Sequence, residues 1–186
     1  MSQLYDDSTA KARSYYNDQR DVIHDLAHSE RVAKNAKDIA KSLGYKDLAF
    51  LELCAYWHDV ARTLGKEPHE EAGALMARDD LLSRGSTQAD ATRIYEAIRF
   101  HKSTASPVTT EGKIIRDADK LDIFSIVRWQ RVTNAGWTQE YKADLAKTLA
   151  NLDRYPGVFT YEYTKRLYAE RLPRFLEYTK SLKILD

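Results

Sequence analysis

Residues 27–43 read AHSERVAKNAKDIAKSL. Val32, Ala36, Ile39, Ala40 and Leu43 recur there at three- and four-residue spacing, which lines them along one face of a helix. Gly44 follows at once, the residue type that tolerates the left-handed turn after a helix end. Beyond it, Asp47 can cap a second helix with Leu48, Leu51, Cys54, Ala55, Trp57 and His58 on its inner side, reaching about Leu64 and stopping at Gly65. Pro68 opens a third helix, to about Leu82, and Ser86–Asp90 a fourth, with Ile94, Ala97 and Ile98 inward. Ser103 to Pro107 reads as a loop. A fifth helix from near Glu111 carries Ile114, Ile115, Ala118, Leu121, Phe124 and Val127 as far as the break at Asn134-Ala135-Gly136. A sixth runs from Thr138 to Leu152, and the last region from about Tyr161 to Leu182, where Pro173 is expected to kink or split it. The spacing therefore predicts an all-α, single-domain chain.

The length of 186 residues suits one domain with a core large enough to need no staples. Lys and Arg number 29 against 28 Asp and Glu, so no global positive field exists to draw in a long nucleic acid. Cys54 is the only cysteine, which excludes an internal disulfide and fits a buried side chain in a reducing compartment. No run approaches the ~18 apolar residues of a membrane span, and the N-terminal stretch MSQLYDDSTAKARSYY lacks the apolar centre of a secretory signal. A cytoplasmic protein with no membrane partner is the expectation.

Chemistry concentrates at His58-Asp59 in CAYWHDVAR, where an unpaired carboxylate near the end of an apolar helix would be costly to bury. Adjacent helix residues point about 100° apart, so a metal held by both needs further ligands from other helices. His28 in DLAHSERV and Asp119 in RDADKLD are the candidates. Two imidazoles and two carboxylates suit a divalent transition metal that activates water and polarises a phosphoryl oxygen. The plain alternative for Asp59 is a helix ion pair with Arg62 at i+3. His24 and His28 form an i, i+4 pair, but the glutamate that a zinc-protease helix needs is missing between them. His24 is read as a rim or helix-start residue.

The ordered blocks HSERV, WHDVAR, HEEAGA, IRFHK and RDADKLD resemble the HD-domain metal-dependent phosphohydrolase superfamily, in particular its small stand-alone hydrolases. The resemblance covers residues from about 20 to 130, with C-terminal helices at about 137–183 completing one HD-type helical bundle over 1–186. It implies that His28, His58, Asp59 and Asp119 bind one divalent ion: Mn, Fe, Co, Ni or Zn, with Mg also admissible. His69 and His101 fall where two-metal members place further ligands, with Asp59 as the bridge; the alternative is that both face phosphate. Arg62 matches the basic position after the His-Asp pair, whereas Ala61 stands where the family often has glycine. Lys102 and Lys120 are phosphate candidates or solvated charges, and Asp122 is a partner for a ligand histidine or one half of a helix ion pair. The implied activity is metal-dependent hydrolysis of a phosphoester or phosphoanhydride in a nucleotide or related small phosphate, with Asp59 and Arg62 catalytic. Alternatives are an HD-fold di-iron oxygenase and a non-catalytic nucleotide-binding module.

Overall fold

The computed structural model describes residues 2–17 and 21–184; residue 20, where the metal-binding core was expected to begin, lies outside them. Its helices are α1 (Ser2–Ser14), α2 (Leu26–Ser42), α3 (Leu48–Trp57), α4 (Val60–Thr63), α5 (His69–Ser83) and α6 (Gln88–Arg99). They continue as α7 (Thr110–Asp122), α8 (Ile126–Ala135), α9 (Gln139–Leu149), α10 (Tyr155–Val158) and α11 (Glu162–Ser181). Among the described residues there is no strand, and no helix is long and apolar enough to cross a membrane.

Helix starts follow their caps. Asp25 accepts from His28 N, Asp47 from Phe50 N, Thr87 from Asp90 N, and Thr138 from Tyr141 N. Gly44, at φ 69°, supplies the left-handed turn that ends α2. Val32, Ala36, Ile39 and Ala40 of α2 are fully buried, but Leu43 is exposed, because the chain has already left the helix there.

Three expectations are corrected. The second helix does not continue to Leu64: it ends at Trp57, and a turn through His58 and Asp59 precedes the short α4. The fifth helix ends at Asp122, because Ser125 takes an extended conformation and the Trp129 indole N–H captures the Ile123 carbonyl at 2.8 Å. Val127 thus belongs to α8 and points outward, 52% exposed. Pro173 does not split α11, which runs unbroken through it. The proline and Ala169, whose carbonyl it leaves unpaired, are both exposed, so water can take that acceptor.

Two apolar clusters hold the fold. The first joins α1 to α7 around Phe50, Leu51, Trp57, Ile94 and Ile115. The second joins Ile23 to Phe124, Trp129, Tyr168 and Phe175 of the C-terminal third. Each such large side chain contributes about 1.5–3 kcal/mol on full burial. Helix α1, not anticipated from its polar composition, is tied down by Asp80 of α5. Asp80 accepts from Ser8 Oγ at 2.6 Å and Lys11 Nζ at 2.8 Å, and Ser8 in turn takes the Trp57 indole N–H at 3.1 Å. Helix α5 crosses the His58–Asp59 turn at Gly73, where a Cβ would stand 3.3 Å from the carbonyl oxygens of both Trp57 and His58. This close crossing sets α5 against the site.

Candidate metal centre

The cap at Asp25 places His28 in the first turn of α2, fully buried. Its Nδ1 lies 2.7 Å from Asp122 Oδ2. His58 sits at the end of α3 and directs Nδ1 to the Ala55 carbonyl at 2.6 Å; His101, just past α6, does the same to Ile98 at 2.7 Å. A carbonyl oxygen only accepts, so the nitrogen facing it carries the hydrogen. In their neutral forms all three rings therefore present a bare lone pair at Nε2.

Those lone pairs converge. His28 Nε2 and His58 Nε2 are 3.2 Å apart. Asp59 Oδ2 lies 3.6 Å from His28 Nε2 and 3.4 Å from His58 Nε2, while Oδ1 lies 3.6 Å from His69 Nε2 and 3.7 Å from His101 Nε2. Asp119 Oδ1 approaches His28 Nε2 at 3.5 Å. Acceptor thus faces acceptor in a dry site unless a proton or a metal ion lies between them. Burial opposes protonation of His28, yet Asp119 and Asp122 override it and raise its pKa to about 9. Asp59 and Asp119 stay well below the ordinary carboxylate range despite burial, held there chiefly by His58 and Lys120 respectively. Nitrogen and oxygen donors of this kind fit a divalent transition metal.

The donors fall into two groups sharing Asp59, one with His28 and His58, the other with His69 and His101. In the second group Arg62 Nη2 donates to His69 Nε2 at 3.0 Å, occupying the lone pair that a second ion would use. Burial pulls the pKa of His69 down, against the pull of Asp59. Arg62 Nε is also 3.7 Å from Asp59 Oδ1, so the i, i+3 pair read from the sequence forms as part of the cluster.

Lys120 Nζ holds Asp119 Oδ2 at 2.5 Å. Asp122 backs His28 and takes Arg31 Nε at 2.7 Å and Nη2 at 3.0 Å. Lys102, over half exposed, instead reaches Glu70 Oε1 at 2.7 Å and does not line the cleft beside the cluster. Glu70, missed in the sequence, is buried with Oε1 3.5 Å from His69 Nε2. Its only signal was its place beside His69 in HEEAGA.

The cleft, about 580 Å³, has Arg62, Lys120 and Arg128 in its wall and His24 among its lining residues. Helix α9 and the segment after it add Lys147 and Arg154, along with Glu140 and Asp144. Arg128, buried with Nη1 3.5 Å from Asp122, comes from a helix 100 residues away from His28 in sequence, a partnership that no local pattern encodes.

The HD domain family model matches residues 25–123, more than half of the chain. Among solved structures, a predicted HD superfamily hydrolase from an uncultured Thermotogales bacterium is similar at 27% identity and TM-score 0.69, covering 95% of this chain and 90% of that one. Bacillus subtilis YpgQ in complex with ADP shares the fold at 24% identity and TM-score 0.72, covering 98% and 96%. A protein from Lactobacillus plantarum does so at 17% and 0.75, covering 98% and 96%. No protein of curated function matches the sequence. Because the matched segment carries His28, the His58–Asp59 turn, His69, His101 and Asp119, the chain belongs to the HD domain family, a superfamily of metal-dependent hydrolases.

Proposed function

We propose that the protein is a divalent-metal-dependent phosphohydrolase acting on a nucleotide or related small phosphate, with His28, His58, Asp59 and Asp119 as the ligands of one ion. The observation that carries this reading is the convergence of three imidazoles, each committed at Nδ1, on the Asp59 carboxylate beside a cationic cleft. A divalent ion bound there supplies an acidified water and neutralises phosphoryl oxygens. The chain's own residues do the rest. Asp122 keeps the His28 hydrogen on Nδ1 and so keeps Nε2 available. Arg62 and Lys120, both in the cleft wall, offset charge that builds on the phosphoryl group. His69 and His101 either face the phosphate or hold a second ion once Arg62 has turned from His69 to substrate.

Lys147 and Arg154 extend the positive wall toward the mouth, whereas Glu140 and Asp144 repel a continuing phosphate chain. That mixture supports a short substrate over a long nucleic acid. The ADP held by the Bacillus subtilis relative supports a nucleotide. A cytoplasmic setting is part of the same proposal.

The test is release of phosphate and pyrophosphate from a nucleotide panel with Mn²⁺, Mg²⁺, Co²⁺ or Ni²⁺, for wild type beside Asp59→Ala. Metal-dependent turnover lost in the variant supports the reading. Silence from a folded, metal-loaded protein with a redox-dependent iron spectrum moves the assignment to an oxygenase. Silence from a protein that retains no metal moves it to a nucleotide-binding module.

A further inference from the structure

Behind the metal cluster, Asp122 forms part of a second groove, about 530 Å³, between α2, α8 and α11. Its charged wall is cationic: Arg31 and Lys34 from α2, Arg171 and Arg174 from α11. Asp122 is the one carboxylate among its described lining residues, and both its oxygens are already taken by Arg31 and His28.

The cations are unequally compensated. Lys34 pairs with Asp38 at 2.6 Å. Arg31 spends Nε and Nη2 on Asp122, leaving Nη1 without a partner among the described residues. Among the described residues Arg171 has only neutral acceptors, the Leu121 carbonyl at 3.3 Å and Asn35 Oδ1 at 3.0 Å. Burial accordingly draws its pKa down. Arg174, nearly one turn further on, is exposed and has no side-chain partner among the described residues. Among the described residues Arg171 and Arg174 therefore keep positive charge that no carboxylate pairs, Arg31 keeps one open nitrogen, and guanidinium forks match phosphoryl oxygens. On the lip stand Ile126 and the exposed Val127.

We propose that this groove is a second anion site, separate from the metal cluster and its cleft, which takes a small phosphate-bearing molecule between Arg31, Arg171 and Arg174. Inorganic phosphate and a nucleotide share the recognised group. The nucleotide alone can also cover the apolar lip at Ile126 and Val127.

Hydrogen exchange read by mass spectrometry on the metal-loaded protein locates the ligand, using inorganic phosphate and a non-hydrolysable methylene analogue of ADP as probes. Slowed exchange is expected in residues 125–128 and 168–175. Its midpoint lies lower for the analogue if the natural ligand is a nucleotide, and equal for the two probes if it is free phosphate. Arg174→Gln is expected to raise that midpoint by about threefold to tenfold and to leave slowed exchange at residues 147–155 of the cleft unchanged. Arg174 is exposed and makes no side-chain hydrogen bond or ion pair among the described residues, so this variant reads binding and not folding. Unchanged exchange at 125–128 and 168–175 with both probes, or a midpoint that Arg174→Gln leaves in place, overturns the assignment.

Discussion

Replacing Asp122 by asparagine keeps the shape of the side chain and removes its ability to serve both neighbours. Asp122 is fully buried, and its two oxygens take three donors: His28 Nδ1 at 2.7 Å, Arg31 Nε at 2.7 Å and Arg31 Nη2 at 3.0 Å. His28 and Arg31 hold this carboxyl far below its ordinary range although burial pushes it up. Asparagine offers one oxygen and one NH₂ group. With the oxygen turned to Arg31, the amide hydrogens face His28 Nδ1, the ring hydrogen moves to Nε2, and the lone pair aimed at the cluster is gone. With the oxygen turned to His28, the amide hydrogens face a guanidinium. A buried hydrogen bond to a charged group is worth about 1.5–3 kcal/mol, equivalent to roughly 10- to 100-fold in a binding constant, the range found when groups behind a metal-ligating histidine are removed. Calorimetric titration of Asp122→Asn with Mn²⁺ or Co²⁺, with a thermal melt in parallel, measures this directly. Metal affinity within twofold of wild type would refute the tautomer argument, and with it the account of why these imidazoles face one another.

Asp59→Ala removes the carboxylate shared by both donor groups; circular dichroism should show helix content intact while metal binding and turnover disappear. Gly73→Ala exchanges an average gain in helix propensity of about 1 kcal/mol for a methyl 3.3 Å from two backbone carbonyls that cannot swing aside. It should lower turnover by shifting α5 and His69 away from Asp59, with helix content unchanged, as steady-state kinetics beside circular dichroism would show. Asp80 is buried, yet hydrogen bonds from Arg84, Lys11 and Ser8 hold its carboxyl below the ordinary carboxylate range. A depressed carboxyl contributes stability that is fully present above its unfolded pKa and fades as pH falls through the folded one. Acid should therefore release α1 below about pH 4, in a step visible in the fluorescence of Trp57 through its Ser8 contact and missing in Asp80→Asn. Arg62→Lys keeps the charge and loses the fork, so it should lower kcat/KM by about 10-fold or more in phosphate-release assays.

Much of this was legible because its causes are local. Capping residues such as Asp47 and Thr138 and the left-handed Gly44 act within one turn, and helix starts follow them closely. Six donors read from five short blocks, His28, His58, Asp59, His69, His101 and Asp119, meet in one place. What escaped depends on distant partners. The helix break at His58–Asp59 interrupts an apolar pattern that reads straight through it. Helix α1 is polar in composition and is held by Asp80 and Trp57, about 50 to 70 residues away in sequence. Lys102 looked like a free cation beside His101, but Glu70 claims it. Arg31 and Arg128 gather on Asp122 from helices that no sequence periodicity relates.

His58 and His101 are both oriented by a carbonyl three residues back, in the last turn of their own helix, where carbonyl oxygens have no regular helical partner; the Ile98 oxygen also takes the His101 backbone N–H at 3.2 Å. Each is therefore a self-contained donor: one residue whose aim is written into four consecutive positions. Such a donor is portable. A histidine grafted at the buried end of an unrelated helix inherits both its rotamer and its tautomer from the backbone, and needs no supporting side chain. Two helix ends meeting across a carboxylate then suffice to begin a metal site, a short route by which helical proteins can acquire one and a direct recipe for building one.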